Sequence, residues 1–269
     1  MPDPVASTPL AYEPDRFRAS VTHYRAGRAP YPPALIHRVA ELVCLGETHR
    51  VLDLGCGPGP LAIGFAYFAG SVLGLDPEPQ MLAAAASAAQ GLAPNASFRQ
   101  GSSYDLDPAL GRFRLVTMGR SFHWMDRAET LRRLDAMIEA EGAVALFHDT
   151  HIDVPENAWT TEWRSITDAY AADDPLHERR RAGTWLRHEA FLLASAFCRL
   201  ERVSLITRQA VTTEGLLERA LSMSSLSRAR LGERTEALVR DLTALLARVA
   251  PGGTLSEVVE SSALIARRA

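Results

Sequence analysis

The sequence predicts an α/β protein built on a doubly wound, mostly parallel sheet of seven strands, with an antiparallel edge strand and a helical cap insertion. Three observations carry this expectation. Short apolar runs alternate with helix-periodic segments of about ten residues or more, as in a parallel sheet covered on both faces. The first run, "VLDL" at 51–54, enters a turn with glycines at 55, 57 and 59. After His151 the alternation stops, and tryptophan-bearing helical sequence precedes two long strand-like segments.

Each element has its own signal. Residues 1–15 are proline-rich without periodicity and read as a loose arm. Apolar residues at 35, 36, 39, 42 and 43 recur at helical spacing and predict a helix over 34–43. The strand at 51–54 is followed by a helix over 60–69 and a strand at 71–76. The alanine-rich stretch "PEPQMLAAAASAAQG" has proline and acid at its start and Gly91 at its stop, which predicts a helix. Strands follow at 97–100, 113–118 and 143–148, the last two separated by a helix over 128–140. Residues 156–198, with Trp159, Trp163 and Trp185, read as helical and supply the cap. The segments 202–211 and 255–268 read as an antiparallel pair at the sheet edge, joined by two helices. The chain thus divides into an N-terminal arm and lid (1–33), a ligand-binding core (34–153), a cap (154–200) and a C-terminal part that completes the sheet (201–269).

Composition narrows the partners. With 269 residues, 47% hydrophobic and 23% charged, the chain buries a sizeable core. A net charge of -3, with both signs interleaved, offers no basic footprint for nucleic acid, so a small-molecule substrate is expected. Cys44, Cys56 and Cys198 lie far apart without a CxxC pair, which predicts neither a zinc ribbon nor a disulfide framework. The N-terminal sequence lacks the basic start and apolar core of a signal peptide, and no apolar run reaches about 18 residues. The expectation is a soluble cytoplasmic protein with no membrane partner and with a second copy of the chain as a possible one.

A strand that stops at a glycine-rich turn and feeds a helix brings backbone N–H groups to one point, with no side chain to hold a ligand away. Dinucleotides and S-adenosylmethionine are the two ligand classes that use this device in open parallel sheets. The dinucleotide fingerprint G-x-G-x-x-G/A fits Gly55 and Gly57 but meets proline at position 60, and the third glycine comes early, at Gly59. Asp53, at the strand end, either orders the loop or faces a cationic amino group.

The motifs resemble those of the class I S-adenosylmethionine-dependent methyltransferases. "VLDLGCGPG" matches the first motif of that family, and "VLGLDPEPQML" is similar to the second, in which the acid, here Asp76, takes the ribose hydroxyls. "FRQGSSYDL" is similar to the third, with Ser102 where the family carries an adenine-binding aspartate and Asp105 as a possible substitute. "RLVTMGRSFHWMD" resembles the segment after strand four in a branch with F-H-W-x-D. The resemblance covers about 24–149. It implies a Rossmann-like sheet, S-adenosylmethionine as cofactor, and a binding site made of Asp53, Gly55, Cys56, Gly57, Gly59, Asp76, Pro77, Met81, Ser102, Ser103 and Gly119. Tyr24 and Arg28, in "YRAGRAPYP", belong to a segment that lies over the cofactor in related enzymes, where they meet its carboxylate or an acidic substrate; otherwise the arginines are solvated.

Residues 119–126 lie at a strand end and so beside the cofactor. His123 reads as a general base, since an ordinary imidazole pKa of about 6.5 suits proton removal near neutrality; the other reading is packing under the adjacent helix. Trp124 is a wall of the site or core. "FHDTHID" at 147–153 places two histidines and two aspartates at the end of strand five. Their spacing fixes no third metal ligand, so no metal is expected and they read as polar lining. The basic run 179–181 follows several acids and reads as a solvated helix face. The function that follows is methyl transfer to a small molecule chosen by the arm and the cap. Two alternatives are a non-methylating reaction on the same fold and cofactor, such as a cyclisation or decarboxylation, and a cofactor sensor.

Overall fold

The computed structural model describes Glu13 and residues 16–269; the remainder of the expected arm lies outside the described residues. Among the described residues seven strands form one sheet: β1 (Arg50–Leu54), β2 (Ser71–Asp76), β3 (Ala96–Gln100), β4 (Phe113–Gly119), β5 (Ile138–His151), β6 (Arg199–Thr212) and β7 (Thr254–Arg267), in the order β3-β2-β1-β4-β5-β7-β6. Strands β1 to β5 are parallel, and β7 runs antiparallel between β5 and β6. The expected antiparallel pair therefore stands at the sheet edge. The helices are α1 (Val21–Gly27), α2 (Pro33–Leu42), α3 (Pro60–Ala66), α4 (Pro79–Ala89), α5 (Arg127–Asp135), α6 (Trp159–Tyr170), α7 (Pro175–Arg181), α8 (His188–Leu193), α9 (Thr213–Leu221), α10 (Arg228–Leu231) and α11 (Arg234–Val249).

Successive residues of β1 serve opposite faces, as the strand period of two requires. Val51 joins the α2–α3 layer with Phe65 and Phe147, whereas Leu52 and Leu54 join the opposite layer with Phe113, Phe122 and Leu131. From β1 the chain passes outward to β2 and β3, then crosses back to β4 and β5. This reversal opens a crevice above the C-terminal ends of β1 and β4.

Two departures from the sequence reading have long-range causes. The helix expected over 128–140 ends at Asp135, and β5 begins at Ile138. Ile138 is fully buried and pairs with Phe113, whose N–H donates to Met137 O, so a long-range pairing overrides local helical periodicity. The 154–200 segment divides between two cores. Trp159 and Trp163 of α6 pack with Leu216, Leu238 and Leu242 of the C-terminal helices, while Phe191 and Leu192 of α8 enter the core of the sheet. Among the described residues no helix is long and apolar enough to cross a membrane.

Candidate active site

The turn after β1 is held by the neighbouring strand. Gly55 and Cys56 both donate backbone N–H bonds to Leu75 O, at 2.8 and 3.0 Å. Gly55 has φ +70, and a Cβ there would sit 2.6 Å from that of Ser121. Gly57, at φ +53, has open space where a Cβ would stand, and its N–H donates to Asp76 Oδ2 at 2.8 Å. The backbone is thus exposed to a ligand at Gly57 in a conformation that L-residues rarely adopt.

Two buried carboxylates flank this turn. Asp53 accepts from Thr117 Oγ1 at 2.9 Å and from the Ala62 N–H at 3.1 Å, which ties the start of α3 to the sheet. Burial pushes it up to about 7, outweighing the two hydrogen bonds. Of its two expected roles, the structure shows loop ordering. Asp76 accepts from Gly57 N–H and, through Oδ1, from Glu78 N–H at 2.9 Å. Burial pushes it up to about 6.

A cavity of about 270 Å³ lies over these strand ends. It gathers nine of the residues expected from the sequence: Tyr24, Gly55, Gly57, Asp76, Pro77, Met81, Ser102, Ser103 and Gly119. Asp53 and Cys56 instead border a small adjoining void with Tyr31, whose buried hydroxyl has no hydrogen-bond partner among the described residues. Burial pushes the Cys56 thiol well up, so it stays protonated near neutrality. Gly59, at φ +81, precedes α3, and its Cβ position is crowded by Ala85 and Phe98 rather than open to the cavity.

Four expectations need correction. Arg28 does not line the cavity: its Nε donates to Ser222 Oγ at 2.9 Å, and its guanidinium lies 5.9 Å from the Tyr24 ring centroid. His123 is also off the cavity wall, its ring 4.7 Å from Trp124 and 6.3 Å from His188. Burial and then nearby cations hold it well below the ordinary imidazole value, so it is neutral near pH 7 and a weak base. Asp105 is turned onto Ser102, accepting its N–H at 2.8 Å and its hydroxyl at 2.7 Å in a capping box, and is not on the wall. Arg179, expected on a solvated face, lines the cavity, while Arg181 of the same run pairs with Asp168 at 2.7 Å.

The site also contains residues that the sequence reading passed over. Arg16 and Phe17 form part of the wall together with Leu176 of α7, and Phe17 meets Trp124 edge-on at 5.1 Å. Arg120 follows Gly119 directly and lines the cavity as well; a cation next to a strand-end glycine was its signal in the sequence. His148 and His151 are three residues apart on β5 and so serve opposite faces. His151 Nε2 lies 2.9 Å from Glu257 Oε2. Among the described residues no group of three His, Cys, Asp or Glu side chains has the arrangement of a metal site.

A glycine turn, a carboxylate at the end of β2 and a crevice at the point where the strand order reverses define an α/β protein built to take a nucleoside-containing ligand. Residues 51–142 match the model of a methyltransferase-domain family. An uncharacterized methyltransferase-like protein of Schizosaccharomyces pombe is 26% identical over 161 residues, 59% of this chain and 60% of that one. The chain spans about half to three-fifths of the length of the curated relatives it matches. Among solved structures, an S-adenosylmethionine-dependent methyltransferase of Geobacter sulfurreducens in complex with S-adenosylhomocysteine superposes with a TM-score of 0.53 at 17% identity, covering 97% of this chain and 100% of that one. One from Thiobacillus denitrificans, also in complex with S-adenosylhomocysteine, gives 0.52 at 19% identity over 93% and 98%. At these identities the likeness is one of fold. The family match over residues 51–142 and the methyltransferase-named relatives agree on a methyltransferase domain in that part of the chain, whose motifs are similar to those of the class I S-adenosylmethionine-dependent methyltransferases.

Proposed function

We propose that the chain binds S-adenosylmethionine in this crevice and transfers its methyl group to a small-molecule acceptor. The observation that carries the reading is Asp76. A carboxylate offers about four acceptor positions; backbone N–H groups take one on each oxygen, which leaves capacity for two adjacent ribose hydroxyls on the cavity side. The remaining wall fits the same ligand. Gly57 lets the backbone approach, and the unpartnered Tyr31 hydroxyl beside Asp53 and Gly55 offers a polar contact to the amino-acid end.

The cofactor supplies a methyl group already activated on a sulfonium, so the chemistry is an in-line displacement. The protein's task is alignment and exclusion of water. Gly119 and Ser121 line the floor at the end of β4, and the edge-on pair of Phe17 and Trp124 covers it with apolar surface. With His123 off the wall, no imidazole of the described chain touches the cavity, and positioning carries the reaction. A net charge of -3 with interleaved signs supports a small acceptor over a nucleic acid.

Calorimetric titration with S-adenosylhomocysteine tests the binding step, and a saturable one-to-one isotherm is expected. Incubation with methyl-labelled S-adenosylmethionine and a metabolite extract then tests transfer, with label expected in one small molecule. Absence of binding would overturn the reading, and binding without transfer to any acceptor would favour a sensor.

A further inference from the structure

We propose that Arg120 is the specificity residue of the crevice and holds a carboxylate group of the acceptor. The inference rests on the methyl-transfer reading above. Arg120 has φ +56, a left-handed conformation that non-glycine residues adopt at a cost; among the described residues only Cys44 shares it. Retaining a bulky side chain at such a position, directly after a strand-end glycine, points to a use for that side chain.

Its guanidinium is held from three directions. Nε and Nη2 donate to Asp149 Oδ2, Nε at 2.9 Å; Nη2 also donates to Ala29 O at 3.2 Å; and the group lies 4.6 Å from the Tyr31 ring centroid. Asp149 is itself fixed by Ser261 Oγ at 2.7 Å. Nη1 has no hydrogen-bond partner among the described residues, so a pre-positioned, permanently charged edge remains for an incoming carboxylate.

The direction is as informative as the charge. Asp76 stands on β2, on one side of β1, whereas Asp149 stands on β5, on the far side of β4. Arg120 reaches toward β5, away from the ribose end, and borders both the cavity and the adjoining void where Tyr31 faces the amino-acid end of the cofactor, so it stands where that end gives way to the acceptor. Arg16 and Arg120 both line the cavity and are both fixed there by carboxylates, Asp174 and Asp149. The chemical class is therefore a small molecule with a carboxylate and an apolar part that packs on Trp124 and Leu176.

The experiment titrates the full chain, preloaded with S-adenosylhomocysteine, with acetate, benzoate, phenylacetate and succinate and with the corresponding neutral amides. We expect at least one acid to bind about tenfold or more tightly than its amide, the scale of a lost charge-assisted contact. Arg120→Gly, which suits the positive φ, should abolish that preference, and Arg120→Lys, which keeps a cation for Asp149, should keep part of it. S-adenosylhomocysteine affinity should stay within about twofold of wild type in both variants. A wild type that prefers none of the acids overturns the inference. A loss of S-adenosylhomocysteine affinity of about tenfold or more in Arg120→Gly also overturns it, assigning Arg120 to the cofactor's own carboxylate. A wild type that does not bind S-adenosylhomocysteine at all overturns the functional reading itself.

Discussion

Arg16 Nη2 and Asp174 Oδ2 meet at 2.5 Å, in side chains only 6% and 3% exposed, and so clasp the N-terminal segment to the cap over the cavity. Asp174 is also the N-cap of α7, accepting from Leu176 N–H at 2.9 Å and His177 N–H at 3.1 Å, and pairs with Arg230 at 3.2 Å. Arg16 in turn lies 4.5 Å from the Trp124 ring centroid. Asp174→Asn keeps a good helix cap but removes the charge, so it should hasten S-adenosylhomocysteine release while α7 stays folded. Asp174→Ala should lose a further ~1 kcal/mol from the missing cap. Stopped-flow release and urea unfolding of both variants check this; equal release rates in wild type and Asp174→Asn would show that the clasp does not gate the cavity.

Asp76→Ala should weaken S-adenosylhomocysteine binding by about 1–3 kcal/mol, the scale of hydrogen bonds to a charged acceptor. Asp76 also holds Gly57 N–H, so part of the loss reflects a looser turn. Asp76→Asn separates the two effects: it keeps an acceptor on one oxygen and should recover part of the affinity. An unchanged dissociation constant in Asp76→Ala removes this residue from the ribose end.

The parts of the site that the sequence made legible are those set by neighbours in the chain. A buried strand ending in left-handed glycines is a local pattern, and it placed Gly55, Gly57 and Asp76 on one wall. The parts that were not legible depend on distant pairings. Arg16 meets Asp174 across 158 residues, and that tie lays α7 over the cavity so that Leu176 and Arg179 face inward. Ile138 became a strand residue because Phe113 was available to pair with it. His123 was misplaced for a different reason. It sits on the 3-10 turn Phe122–Trp124, where successive side chains diverge by a third of a turn. Phe122 enters the core, Trp124 reaches the cavity and His123 stacks toward His188.

That divergence predicts a modest role for His123 in turnover. His123→Asn should leave S-adenosylhomocysteine affinity unchanged and lower kcat by less than about tenfold, below the roughly 10²–10⁴ expected for loss of a general base. Since its pKa is held well below the ordinary value, the kcat profile of the wild type should show no imidazole step between pH 6 and 7. A fall of about a hundredfold or more, together with disappearance of a pH step, would make it the base after all.

Stability should vary with pH in two opposing limbs, because burial pushes Asp53 and Asp76 up while Glu257 is held down. Burial pushes Asp53 up from 3.8 to about 7. The folded state therefore holds this proton more tightly than the unfolded chain, and the stabilisation is complete below about pH 4 and is lost as pH rises through 7. At about 1.4 kcal/mol for each pH unit, the rise corresponds to roughly 4 kcal/mol. Glu257 behaves oppositely. Burial acts to raise it, but the Arg219 guanidinium, bonded to both of its oxygens at 2.7 and 2.8 Å, together with His151 and Gln209, holds it far below its ordinary 4.5. Its stabilisation is present above about pH 4.5 and is lost as pH falls toward the lower folded value. Urea midpoints measured from pH 3 to 8 should thus rise and then decline. Glu257→Gln should flatten the acid limb, whereas Asp53→Asn should leave that limb in place and end the decline near pH 6, where Asp76 ionises, instead of near 7. If the decline still runs to about pH 7 in Asp53→Asn, Asp53 does not hold its proton in the fold and is ionised there at neutral pH.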